Sequence, residues 1–367
     1  MICNFCVLDD KIPGVRFDED NRCNYCKNLE EKFRKIYFDI KKNYNSLEKI
    51  LEKIKSQQKG KYNCIVGASG GIDSSFLLHL VKQWGLTPLV VHLNNGWDTE
   101  LSIQNIQKII KKLNFDYFEY KLDFEEFRRM QIAFLKASVP DLENLTDMAI
   151  LGALHRVAYD FKVKYILLAN NFVSEGILPK FFLYNPKDKK YIKAIIKEFS
   201  DNLKIKNFPF FSIKEEFFYK LKGIRLLYPL NYICYSPLRA KKILQKEYDF
   251  QIYEQKHSES LITFFVQAYY LPKKFNIDYR KATLSSLICS GEITRTDAID
   301  KLNNRTNLDE NELLNNVAQK LKISVNDLIC FLNLPPKYYK DFPNAEFYHK
   351  IVKFFFNLFF RRFFIKY

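Results

Sequence analysis

Asn63-Cys64-Ile65-Val66-Gly67-Ala68-Ser69-Gly70-Gly71-Ile72-Asp73-Ser74-Ser75 runs from an apolar strand pattern through glycines into a helix pattern. The glycines let the backbone turn tightly and come close to a ligand. The amides of Ile72 to Ser75 fall at a helix N-terminus, where unpaired N–H groups and the helix dipole favour an anion. The stretch therefore reads as a phosphate cradle. No lysine follows the glycines as in the G-x-x-x-x-G-K-[ST] loop, so a different phosphate-holding loop is expected.

A second constellation stands at the N-terminus. Cys3-x-x-Cys6 is followed, after sixteen intervening residues, by Cys23-x-x-Cys26. Two such pairs can place four thiolates at the corners of a tetrahedron, which closes a structural zinc site and leaves no open position for catalysis. Four thiolates also suit an iron–sulfur cluster, though nothing else in the segment favours one. Residues 1–30 hold few core-forming side chains, so metal binding would supply most of their folding free energy.

The elements that must position the loop follow from periodicity. Short apolar strands are expected over residues 62–68, 88–93, 116–122, 164–169 and 224–228. Helices are expected over 73–84, after a Thr99 cap, over 124–137 and over 146–161. This alternation predicts an α/β fold, a doubly wound parallel sheet with ligands at the carboxyl ends of the strands. The glycine loop, Asn94-Asn95-Gly96-Trp97 and Asn170-Asn171 would converge there. Residues 29–58 read as one amphipathic linking helix, and past about residue 245 the chain reads as helical. The expected division is a four-cysteine zinc-binding module at 1–30, a helical linker at 31–58, an α/β domain carrying the phosphate cradle at 59–245 and a helical C-terminal domain at 246–367. Residues 347–367 are aromatic and basic. A helix packed on the domain is preferred to one lying on an anionic membrane, because apolar stripes usually mark core.

Composition sets the outer bounds. A chain of 367 residues holds two or three domains, and its hydrophobic (47%) and charged (27%) fractions are those of a soluble globular protein. A net charge of +16 would attract ATP, a nucleotide-linked sugar, RNA or an anionic membrane face, but no dense Lys/Arg block marks a nucleic-acid site and none is expected. With no secretory signal and no apolar run of about 18 residues, a cytoplasmic protein is expected. Its cysteines then suit metal ligation or burial rather than disulfides.

Ser69-Gly70-Gly71-Ile72-Asp73-Ser74 resembles the SGGxDS signature of the PP-loop ATP pyrophosphatase superfamily, whose members cleave ATP between the α- and β-phosphates and usually adenylate a carbonyl oxygen. The paired cysteine knuckles, the loop, Asn94 to Trp97, and Ala169-Asn170-Asn171-Phe172-Val173-Ser174-Glu175-Gly176 together resemble the N-acetyl sugar amidotransferase family. Lys256-His257-Ser258-Glu259-Ser260, Asp278-Tyr279-Arg280-Lys281 and Gly291-Glu292-Ile293-Thr294-Arg295 are similar to it as well. The resemblance implies that ATP activates a sugar acetamido oxygen and ammonia replaces it, giving an acetamidino group. The pseudaminic-acid and LPS branch is the nearest expectation. No glutaminase nucleophile follows Met1 directly, so the resemblance implies a separate glutaminase partner.

The site follows residue by residue. Ala68, Ser69, Gly70, Gly71, Asp73, Ser74 and Ser75 are expected to hold the triphosphate and Mg2+, with Asp73 on the metal. The backbone of His92 to Asn94 would meet adenine or ribose, with the His92 side chain packed in its strand. Asn170, Asn171 and Glu175 would take ribose, metal or the acetamido group, or serve as turn and cap residues. Lys256 suits developing phosphate charge, and His257 or Glu259 suits proton transfer from ammonium. Asp147 caps its helix or faces the site. Asp278, Arg280 and Arg295 can tie down the helical domain. The alternative is a tRNA-modifying thiolase of the same superfamily, for which Cys234 would be the reactive residue.

Overall fold

The computed structural model describes residues 1–37, 40–179, 185–253, 259–304 and 309–352. Five strands, β1 (Cys64–Gly67), β2 (Pro88–Asn94), β3 (Asp116–Lys121), β4 (Tyr165–Leu167) and β5 (Arg225–Leu227), form one sheet in the order β3-β2-β1-β4-β5. Every pairing is parallel. The chain therefore leaves β1 first toward one edge and then toward the other, and the order reverses beside the glycine loop. That reversal opens a crevice at the strands' carboxyl ends.

Alternation along the strands builds two cores. Cys64, Val66, Val90 and Leu167 point to one face and pack with helices Ile72–Gln83, Glu100–Leu113 and Pro237–Tyr248. Ile65, Leu89, Val91 and Ile166 point to the other, against Leu154, Val157 and Ala158 of helix Asn144–Asp160. Most of these are near-fully buried, each contributing roughly 1.5–3 kcal/mol through lost apolar surface. A third core lies beyond the crevice, where helix Phe124–Ala137 packs with helices Lys189–Phe199, Leu261–Phe265 and Glu310–Leu321 around Trp97 and Tyr191.

Before the sheet, helix is described over Asn24–Tyr37 and Ile40–Ser56. The first begins inside the second cysteine knuckle, because Cys26 already occupies its first turn. The four N-terminal cysteines belong to the same apolar core as Val66 and Leu167. Helix Arg280–Cys289 anchors them. Ser285 Oγ accepts from the Val7 amide (3.3 Å), Lys281 pairs with Asp9, and the Arg295 guanidinium donates to the carbonyls of Cys3 and Cys6, each at 3.2 Å. Lys256, His257 and residues 353–367, with the aromatic terminal segment, lie outside the described residues. Among the described residues no helix is long and apolar enough to cross a membrane.

Candidate active site

β1 delivers the chain to Ala68, and Gly70 turns it. Its φ of +81° is strained for any residue with a Cβ, and a Cβ there would meet the Ser102 carbonyl oxygen at 2.7 Å. Gly71 starts helix Ile72–Gln83 in extended geometry with no side chain capping it, so the first-turn amides face the crevice. Hydroxyls brace the turn: Ser74 Oγ accepts from the Ser69 amide and donates to the Gly71 carbonyl, both at 3.2 Å, and Ser69 Oγ accepts from the Gly71 amide at 3.3 Å. Ala68, Ser69, Gly71, Asp73 and Ser74 line the crevice, while Ser75 is buried behind it.

Asp73 is held by residues from distant parts of the chain. Tyr235, just past β5, donates its hydroxyl to Oδ1; Asn171 Nδ2 donates to Oδ2 at 3.0 Å, with Ser174 Oγ at 3.4 Å. Burial, together with the Asp73 charge, pushes the Tyr235 phenol well above its ordinary value, so it remains a donor. Asn171 works at both ends: its Oδ1 caps helix Phe172–Glu175 by accepting from the Ser174 amide at 2.9 Å, and its Nδ2 reaches Asp73. Asn170 donates to Glu175 Oε2 at 3.2 Å, and Glu175 lines the crevice.

At the end of β2 the side chains are committed elsewhere. Asn94 donates to Glu119 on β3 (2.7 Å) and accepts from the Gly96 amide (3.0 Å), whereas its neighbour Asn95 lines the crevice. His92 is 4% exposed, with Nδ1 on the Ala68 carbonyl (2.8 Å) and Nε2 on Asp98 (3.0 Å). Glu259 lies across the loop: a Cβ on Gly71 would meet its Oε1 at 3.0 Å. Tyr253 donates to the Gly70 carbonyl at 2.9 Å.

The crevice encloses about 2560 Å³, well beyond the roughly 300–1,000 Å³ of a single small-ligand site. It has room for ATP and a second substrate together. Glu143, Asp147, Glu175 and Tyr279 all line the crevice. Burial, then these three carboxylates, raises the Tyr279 phenol above its ordinary value. Arg280, also lining the crevice, pairs with Asp278 at 2.8 Å.

The site residues that periodicity missed are Tyr235, Ser174, Tyr253, Asp98 and Tyr279. Only the rule that loops after strand ends carry function pointed toward Tyr235. No cysteine lines the crevice among the described residues; Cys234 is exposed, and burial in β1 pushes the Cys64 thiol upward.

The four N-terminal sulfurs lie within 4.8 Å of one another, with Cys3–Cys26 at 3.8 Å and Cys6–Cys23 at 3.7 Å. A tetrahedron with Zn–S bonds of about 2.3 Å has edges of about 3.8 Å, so the set fits zinc. The amides of Phe5, Cys6 and Cys23 donate to Cys3 Sγ at 3.2–3.4 Å, the outer-shell bonds that thiolate ligands need.

Residues 259–355 match the family described as LPS biosynthesis protein WbpG-like, C-terminal domain. The chain is 29% identical over 128 residues to an uncharacterized protein of Methanocaldococcus jannaschii, spanning 34% of this chain and 44% of that relative's length. Similar solved structures include the NH3-dependent NAD synthetase of Campylobacter jejuni, at 16% identity and a TM-score of 0.30, covering 44% of this chain and 73% of that one. The NMN synthetase of Francisella tularensis gives 16% and 0.30, covering 59% and 98%. The family match covers the C-terminal part of the chain, which is similar to a WbpG-like LPS biosynthesis C-terminal domain, while the loop motif and the parallel sheet that presents it resemble those of PP-loop proteins.

Proposed function

We propose that the chain adenylates the acetamido oxygen of an N-acetylated bacterial sugar and replaces it with ammonia, forming an acetamidino group in surface polysaccharide or flagellin-glycan biosynthesis. The observation that carries this reading is the crevice itself. An uncapped helix N-terminus and a braced Asp73 open onto space for ATP and an acceptor, and no cysteine lines it among the described residues.

The acetamido oxygen attacks the α-phosphorus of ATP and pyrophosphate leaves. Ammonia then adds to the activated carbon, AMP departs with the former carbonyl oxygen, and a C–N bond stands in its place. The amides of Ile72 to Ser74 offset the phosphate charge. Asp73 would hold Mg2+, which would supply further positive charge against the leaving pyrophosphate. Glu259, beside the loop, is positioned to take a proton from ammonium; Lys256 and His257 retain the parts assigned from sequence. A separate glutaminase supplies the ammonia, and Cys3, Cys6, Cys23 and Cys26 hold a structural zinc ion.

The test is product analysis with ATP, Mg2+ and ammonium. AMP and pyrophosphate should form only with an N-acetylated sugar. AMP formation that requires tRNA and a sulfur donor would favour the thiolase reading. Glutamine hydrolysis by the purified chain at enzymatic rates would remove the need for a glutaminase partner.

A further inference from the structure

His92 sits beneath the phosphate loop with both ring nitrogens engaged. The Ala68 carbonyl can only accept, which calls for a hydrogen on Nδ1, and a carboxylate oxygen faces Nε2, where a second ring hydrogen finds its acceptor. Holding the Ala68 carbonyl also fixes the Ser69 amide on the far side of the same planar peptide. That amide reaches Ser74 Oγ. Asp98 belongs to the segment that grips the C-terminal region: it bridges to Ser260, and the Thr99 amide donates to the Glu259 carbonyl at 3.0 Å.

We propose that His92 is a positioning residue, held as a buried imidazolium, that sets the phosphate loop and ties it through Asp98 to the segment carrying Glu259. This rests on the loop holding ATP's phosphates. A fixed positive charge under the cradle needs no reorganisation when the triphosphate arrives.

The electrostatics agree. Burial opposes the charge, but the bond and charge of Asp98, the Ala68 carbonyl and Glu119 outweigh it and raise the pKa. Burial lowers the other described histidines, His79, His349 and His155, the last to about 4. The other titratable groups facing the ring come from β3. Tyr117, stacked on it at 6.5 Å, is pushed up to about 12 by burial and the neighbouring carboxylates; Glu119 is held low by Asn94 and Lys121. Neither changes state near neutral pH. The imidazolium is fully present below histidine's ordinary pKa and is lost as pH rises through the raised one.

The test combines ring NMR of the full unliganded chain, assigned with His92→Gln, and the affinity for a non-cleavable Mg–ATP analogue across pH. Both His92 nitrogens should be protonated at neutral pH, and analogue affinity should weaken roughly tenfold as pH rises through the ring's pKa. Asp98→Asn, which keeps a hydrogen-bonding partner but no charge, should move that loss to lower pH; His92→Gln should bind weakly throughout. A singly protonated ring at neutral pH, or the same pH-independent affinity in wild type and Asp98→Asn, overturns the proposal. Failure of the wild type to bind the analogue at any pH overturns the ATP-using reading and this one with it. A doubly protonated ring in that case would show that the geometry had been read correctly and the ligand wrongly.

Discussion

Asp73 shows what one side chain needs in order to act. A carboxylate at a helix N-terminus would rotate among rotamers unless held, and here Tyr235, Asn171 and Ser174 fix both oxygens before any ligand arrives. Tyr235→Phe removes one charge-assisted bond worth about 1.5–3 kcal/mol. AMP-forming turnover should fall by roughly tenfold or more, while the retained Asn171 and Ser174 bonds keep the fold. Turnover and denaturant unfolding, measured side by side, check this: an equal loss in both would mean that Tyr235 only stabilises. Asp73 was legible because its spacing from the glycines is a motif. Tyr235 was not, because 162 residues separate it from its partner and only the fold brings them together.

At the scale of elements, the loop depends on Gly70. Gly70→Ala meets both an unfavourable φ and the Ser102 carbonyl, so a loss of about 1–3 kcal/mol of stability and a weakened grip on ATP are expected together. Unchanged unfolding and unchanged affinity would contradict this. Helix Asn144–Asp160 brings Glu143 and Asp147 to the crevice, and a buried acid anchors its start. Asp141 accepts from Tyr191 (2.9 Å) and Asn144 (3.1 Å), and burial raises its pKa to about 6. A raised carboxyl pKa means that the folded state binds the proton more tightly, so its contribution falls as pH rises from about 4 through about 6. Asp141→Asn should flatten that decline in thermal stability; an unchanged pH profile would show that Asp141 does not titrate there. The strands and helix Phe124–Ala137 were readable from apolar spacing, which local burial imposes on local sequence.

The whole molecule is wired from its N-terminal cysteines to the crevice. Arg295 and Ser285 fasten the first knuckle, while Ser286 Oγ accepts from the Ile177 amide at 2.8 Å just past helix Phe172–Glu175, which carries Glu175. Metal loss should therefore destabilise the whole chain and not residues 1–30 alone. Cys26→Ser should lower zinc content from one ion per chain and lower the unfolding temperature in a single transition. A low-temperature transition confined to the N-terminus would instead show an independent module. The cysteine spacing announced the four-thiol cluster, but its place inside the main core was not legible, since that follows from long-range contacts with helix Arg280–Cys289. The central claim, replacement of oxygen by nitrogen on a sugar acetamido group, is tested most directly by mass spectrometry of the acceptor after turnover with ATP and ammonium carrying heavy nitrogen. The account predicts that the sugar gains one heavy nitrogen and loses one oxygen, with one AMP formed for each. An acceptor that keeps its oxygen while AMP accumulates would contradict it.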